Sequence, residues 1–173
     1  MVPIDFTPSL ATVNCNGTTG YMQAVAASAF QQLCNAAAKD GLPISITSSF
    51  RSYSSQVTTY NYWVAVNGSA AAADRVSARP GFSEHQTGLA IDIATGGCAL
   101  ECFGGTAQYT WMQNNAHKYG FVQRYNSGQE SITGYSAEPW HYRYVGVQVA
   151  TDMKNKGTKT LEQYFGVQGG DYR

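Results

Sequence analysis

Residues 83 to 92 read Ser83-Glu84-His85-Gln86-Thr87-Gly88-Leu89-Ala90-Ile91-Asp92, and the second half of that stretch decides the kind of element it forms. Leu89, Ile91 and Ile93 alternate with Ala90, Asp92 and Ala94, which is the period of a half-buried strand. Asp92 then shares a face with two alanines, and that face has room beside the carboxylate. A carboxylate on so apolar a strand is costly unless it is paired or holds a metal. His85, seven positions earlier, supplies an imidazole, and Gly88 between them allows a sharp turn or a close backbone approach.

A second segment completes the set. Glu138-Pro139-Trp140-His141 leads into the strand-like Tyr142-Arg143-Tyr144-Val145. Two histidines and one aspartate are a ligand set that leaves the fourth position of a tetrahedral zinc open to water. Zinc brings the pKa of such a water towards neutrality, and a carboxylate beside it can take the proton, which makes Glu138 the candidate base. Three positions apart on an unbroken strand, Glu138 and His141 would face opposite ways. Pro139 is best placed at a strand start or bulge, so Glu138 is expected on the entering turn.

The order Ser83-x-His85-x-x-Gly88-x-x-x-Asp92, then Glu138-x-Trp140-His141, with Ser49-Phe50-Arg51-Ser52-Tyr53 upstream, resembles the zinc D,D-peptidases of bacterial cell-wall metabolism, in particular the VanY-like D-alanyl-D-alanine carboxypeptidases. The similarity runs from Met22 to Val145. It implies that His85, Asp92 and His141 bind Zn2+, that Glu138 is the catalytic base, that Arg51 polarises the scissile carbonyl and that Ser83 helps to hold a substrate carboxylate. Tyr53 and Gln56 are candidate substrate-binding residues in the same pocket. Ser49-Phe50-Arg51 stands where the family often has Gly-Tyr-Arg, a change that loses a hydroxyl and keeps the guanidinium. The implied reaction is removal of the terminal D-Ala from a peptidoglycan stem peptide ending in D-Ala-D-Ala. L,D-carboxypeptidase, D,D-dipeptidase and endolysin-type endopeptidase activity, or a non-catalytic zinc-stabilised binding module of hedgehog type, remain as alternatives.

The wider chain fits this reading. At 173 residues it is long enough for one domain with a sizeable core. Eleven basic residues balance eleven acidic ones, so no overall field favours nucleic acid or an anionic membrane. No apolar run approaches a membrane span, and Met1-Val2-Pro3-Ile4 lacks the pattern of a signal peptide. An extracytoplasmic monomer is expected, exported through a segment since removed. Four cysteines suit an oxidising compartment and two bridges, with Cys15–Cys34 and Cys98–Cys102 the pairing of shortest closures; free thiols, or a metal site drawing on His117, are the rival readings.

Along the chain, residues 1–17 read as an extended arm, and Thr18 or Thr19 as the cap of a helix carrying Met22, Val25, Ala29, Leu33 and Ala36. Ile44 to Thr47 is a short alternating strand that delivers Arg51, and Ser52 or Ser54 caps the next helix. Ala70–Ala73 is a short helix behind Ser69, and the Cys98 to Cys102 loop is a surface excursion. Thr106 opens a helix that ends at Gly120, Phe121 to Tyr125 is a strand, and Asn126 to Tyr135 is a loop forming one cleft wall. Trp140 is assigned to core packing, and the tail to short helices with a frayed Gly169-Gly170 end. The order fits an α+β fold, a small and mainly antiparallel sheet carrying the zinc site with helices packed on its other face, as the D,D-peptidase and hedgehog resemblance also implies.

Overall fold

The computed structural model describes residues 1–170. It opens with a hairpin, β1 (Leu10–Cys15) paired antiparallel with β2 (Thr18–Gln23), before α1 (Ala24–Lys39). Two expectations fail here. The arm is irregular only up to the start of β1, and Thr18 and Thr19 lie in β2 instead of capping a helix. The cause is Asn16-Gly17, whose φ values of 45° and 80° make a two-residue hairpin turn. Alternation along both strands then buries Val13, Cys15 and Met22.

Helix α1 has no side-chain N-cap, so its stability comes from the face it buries: Ala26, Ala27, Phe30, Leu33, Cys34 and Ala37, at spacings of one, three and four. Each large side chain so buried contributes about 1.5–3 kcal/mol. The Cys15–Cys34 bridge ties hairpin to helix, and Cys98–Cys102 closes the later loop, as the shortest closures suggested.

The main sheet consists of β3 (Ser45–Ser48), β4 (Ala90–Ala94), β5 (Phe121–Tyr125) and β6 (Glu138–Tyr144), in the order β3-β4-β6-β5 and antiparallel throughout. Ile46, Ile91, Ile93 and Phe121 belong to the core shared with α1, where the Phe30 and Phe121 rings meet edge-on at 5.8 Å. The half-buried reading of the central strand is corrected. All five residues of β4 are buried, because β3 and β6 flank it, the α1 layer covers one face and the cleft residues crowd the other.

Not every helix lies under the sheet. α2 (Tyr53–Asn67) is capped by Ser52, whose hydroxyl accepts from the Ser55 amide, and α3 (Ala70–Ala73) is capped by Ser69. α2 borders the cleft through Thr59 and Trp63, and the segment that follows α3 does so through Val76, Ser77 and Ala78. α4 (Ala107–Asn115) starts at Thr106 and runs through a 3-10 turn to Gly120. α5 (Glu130–Thr133) lies inside the stretch read as loop, and α6 (Val147–Lys156) and α7 (Leu161–Phe165) form the tail. At the end read as frayed, Gly169 is half-buried and closely packed, since a Cβ on it would stand 2.7 Å from the Ile132 carbonyl oxygen, while Gly170 is exposed with its Cα against Gly134. Among the described residues, no helix is long and apolar enough to cross a membrane.

Candidate metal centre and cleft

Sheet register builds the first part of the site. Ser48 stands opposite Asp92, and Asp92 opposite His141, so three side chains from adjacent strands form one row on the face away from α1. His85 arrives from a 3-10 turn, Glu84–Thr87, which Ser83 caps by accepting from the His85 amide at 3.3 Å. Gly88 ends that turn with φ of 69°, and its carbonyl accepts from Gln23 N at 2.8 Å, so the turn rests on the end of β2. The segment after β3 is held likewise. Phe50 N donates to Tyr21 O at 2.9 Å, Tyr21 N to Ser49 Oγ at 2.9 Å, and Arg51 N to His85 O at 3.2 Å.

His85 Nε2 lies 3.2 Å from Asp92 Oδ2, and His141 Nδ1 lies 2.9 Å from Asp92 Oδ1. Ligand atoms of the three residues fall within 4.8 Å of one another, and among the described residues this is the group able to share a cation, with no fourth member. The donor chemistry fits a metal such as zinc. His85 Nδ1 donates to the Ser49 carbonyl at 2.6 Å, which leaves the Nε2 lone pair facing Asp92. His141 Nε2 faces Glu84 Oε2 at 3.4 Å, which leaves Nδ1 for the same point. All three side chains are buried, and the His85 Nε2 lone pair packed against the Asp92 carboxylate in a dry site is relieved by a cation between them.

Glu138 opens β6 itself instead of preceding it. A register shift between Gln123 and Tyr125 breaks the strand's alternation, so Glu138 and His141 both reach the cleft, with Oε2 3.8 Å from Nδ1. Burial pushes the Glu138 carboxyl up to about 8; Asp92 and Glu84 add to this, while His141 and Arg51 oppose it. Burial would lower His141, but the hydrogen bonds to Asp92 and Glu84 outweigh it and carry the metal-free imidazole up to about 10. Burial holds His85 below its ordinary value against the pull of Asp92. Asp92 is buried too, yet its two histidines keep it far below the usual carboxylate range.

Arg51 borders the same cleft, a space of about 260 Å³ lined also by Trp63, Ser83, Tyr135, Glu138 and Trp140. Its Nε donates to Gln56 Oε1 at 2.6 Å and its Nη1 to Ser48 Oγ at 3.4 Å. Burial lowers the guanidinium's pKa, while Asp92 and Glu138 raise it. Gln56 is only 1% exposed and stands behind Arg51, its amide donating to Ala78 O at 2.6 Å, so it braces the arginine and does not line the cleft. Tyr53 is also outside the cleft lining, at the start of α2 beside Gly81. Trp140, read as core, is half-buried and lines the cleft, because the irregular start of β6 turns it there. The disulfide loop contributes Leu100, so it is more than a surface excursion.

Sequence reasoning passed over Glu84, Tyr125, Tyr135 and Trp63. Glu84 had a signal, an acid adjoining a candidate ligand. Tyr125 stacks on His141 at 5.2 Å and on Tyr135 at 4.7 Å, a pairing across the loop that no spacing announces.

A family model described as VanY, D-alanyl-D-alanine carboxypeptidase, matches residues 19–147. The chain is 44% identical over 148 residues to YodJ of Bacillus subtilis (strain 168), covering 84% of this chain and 54% of that protein. It spans about half the length of the curated relatives it matches. Among solved structures, the LdcB LD-carboxypeptidase superposes with a TM-score of 0.85 at 39% identity, covering 96% of this chain and 82% of the other. The vancomycin-resistance D,D-pentapeptidase VanY in complex with Zn(II) gives 0.81 at 34%, covering 95% and 93%.

Proposed function

This chain belongs to the VanY family of D-alanyl-D-alanine carboxypeptidases, and from that premise we propose that it is a zinc-dependent D,D-carboxypeptidase which removes the terminal D-Ala of peptidoglycan stem peptides. The observation that carries the reading is convergence: His85, Asp92 and His141 meet at one point, and Glu138 and Arg51 border the same cleft. A binding module needs the first three and has no use for the other two.

Zinc held by His85, Asp92 and His141 would supply Lewis-acid polarisation of the scissile carbonyl and of the attacking water. Glu138 takes the water's proton and returns it to the leaving amine, a task suited to a carboxylate whose affinity for protons burial has raised. Arg51, fixed by Gln56, donates to the oxygen on which negative charge develops. The Ser83 hydroxyl accepts from the His85 amide, so its own hydrogen is available to a substrate carboxylate. Trp63, Trp140 and Tyr135 wall the cleft and limit the water around these charges. Such a substrate supports an extracytoplasmic site of action.

A second reading is favoured by one finding, the TM-score of 0.85 with an LD-carboxypeptidase. Defined stem pentapeptide and tetrapeptide, incubated with and without chelator and weighed by mass spectrometry, separate the two. Loss of one alanine from the pentapeptide, abolished by chelator and restored by zinc, supports the D,D reading. Release from the tetrapeptide alone transfers the assignment to L,D cleavage, and no release from either overturns both.

A further inference from the structure

A chain of buried charges runs from the last helix into the metal centre. Glu162 on α7 accepts two hydrogen bonds from Arg124, from Nη1 at 2.9 Å and from Nη2 at 2.5 Å. Arg124 Nε donates to Glu84 Oε1 at 2.9 Å, and Arg143 Nη1 approaches the same oxygen at 3.1 Å. The other oxygen, Oε2, faces His141 Nε2 at 3.4 Å. The side chains of Glu84, Arg124 and Glu162 are 15%, 12% and 9% exposed, so these pairs are shielded from water and salt. Such an arrangement is expensive to assemble, and removing one partner strands the rest.

We propose that Glu84 is a positioning residue for His141, accepting from Nε2–H so that Nδ1 is the nitrogen offered to the metal, and that the Arg124–Glu162 pair anchors Glu84 to α7. A histidine ligand has two chemically distinct nitrogens, and the partner of one decides which the other presents. For His85 that partner is the Ser49 carbonyl, a backbone group that no substitution removes. For His141 it is a side chain, which makes the orientation of this ligand dependent on residues of the turn, of β5 and of the C-terminal helix. Arg124 and Arg143 both meet Glu84 Oε1, at 2.9 Å and 3.1 Å, so the carboxylate is held in place with Oε2 turned to His141. The inference rests on the proposed zinc site but not on the identity of the peptide cleaved.

Three measurements on the full chain test it. In zinc-loaded protein labelled with 15N at histidine, His141 is expected to show a protonated Nε2 and a metal-bound Nδ1; metal on Nε2 overturns the proposal whatever any variant does. Glu84→Gln is expected to lower zinc affinity about 10- to 100-fold in titrations against a chromophoric chelator, with mixed His141 ring signals. Glu162→Gln, which touches neither metal ligand nor cleft wall, is expected to weaken zinc binding in the same direction by a smaller factor, with His85 signals unchanged. Wild-type affinity in both folded variants refutes the role, and if Glu84→Gln does not fold, Glu162→Gln and the wild-type spectrum decide. Wild-type protein that binds no zinc at all counts instead against the proposed function.

Discussion

Burial keeps the Glu138 carboxyl protonated in the metal-free protein up to a pH of about 8, well above where the unfolded chain releases that proton. Between the two values the folded state holds a proton that the unfolded state has lost, so stability falls as pH rises through this window. Glu138→Gln is therefore expected to melt above the wild type when both are stripped of metal at pH about 8, with the difference vanishing near pH about 4, where the carboxyl is neutral in both states. Calorimetric scans at the two pH values check this, and equal melting at both would contradict it. The same variant is expected to lose about 10²- to 10⁴-fold in kcat while retaining zinc. At Arg51 the outcome turns on shape. Lysine keeps the charge but cannot offer Nε to Gln56, so Arg51→Lys is expected to lower kcat by about 10²- to 10³-fold with zinc affinity unchanged, read by kinetics beside a chelator titration. The candidate ligands were legible in the sequence because cation chemistry restricts residue type and the strand period restricts spacing. Gln56 and Glu84 were harder to place because their roles are set by what stands behind Arg51 and His141, which only the folded chain decides.

Element by element, legibility followed the strength of the local signal. Thr106, Ser52 and Ser69 cap the helices expected of them, since an N-cap hydrogen bond is made within a few residues. The β1–β2 hairpin was missed because apolar spacings through Met22 and Val25 fit a helix as well as a strand. Asn16-Gly17 was the discriminating pair, and its turn geometry overrides that ambiguity. The hairpin matters to the site through Gly88. A Cβ there would stand 3.1 Å from Leu10 Cδ2 and 3.2 Å from Gln23 N, at a φ of 69° that side chains rarely adopt. Gly88→Ala is expected to cost about 1–3 kcal/mol, and because the strain falls on the turn carrying His85, zinc affinity is expected to fall with it. Denaturant melts and zinc titrations of the one variant check both, and a stability loss with untouched affinity would mean that hairpin and turn are uncoupled. The Cys15–Cys34 bridge acts on the same hairpin from its other side. Cys34→Ser is expected to lose about 2–4 kcal/mol without altering the zinc site.

The whole molecule brings its ends together at one buried cluster of charge. His85 comes from a turn resting on the hairpin, Asp92 and His141 from the middle of the sheet, and Glu84 is tied through Arg124 to Glu162 on α7. A cation at the centre therefore stabilises contacts between distant parts of the chain, and residues 1–170 are expected to unfold as one cooperative domain whose midpoint rises with zinc. Free zinc at a hundredfold excess over its dissociation constant adds about 2.7 kcal/mol, or about 5–10 °C for a chain of this size. Uptake must also displace protons, since His141 is held charged up to about 10 in the metal-free protein and binds metal only when Nδ1 is bare. Calorimetric titration at neutral pH, in buffers of different ionisation enthalpy, is expected to show at least one proton released per zinc. Affinity is expected to weaken as pH falls, because the competing proton is bound more fully at each step down. Heat independent of the buffer would mean that His141 is already neutral before the metal arrives, and the two hydrogen bonds now ascribed to its charge would need another account.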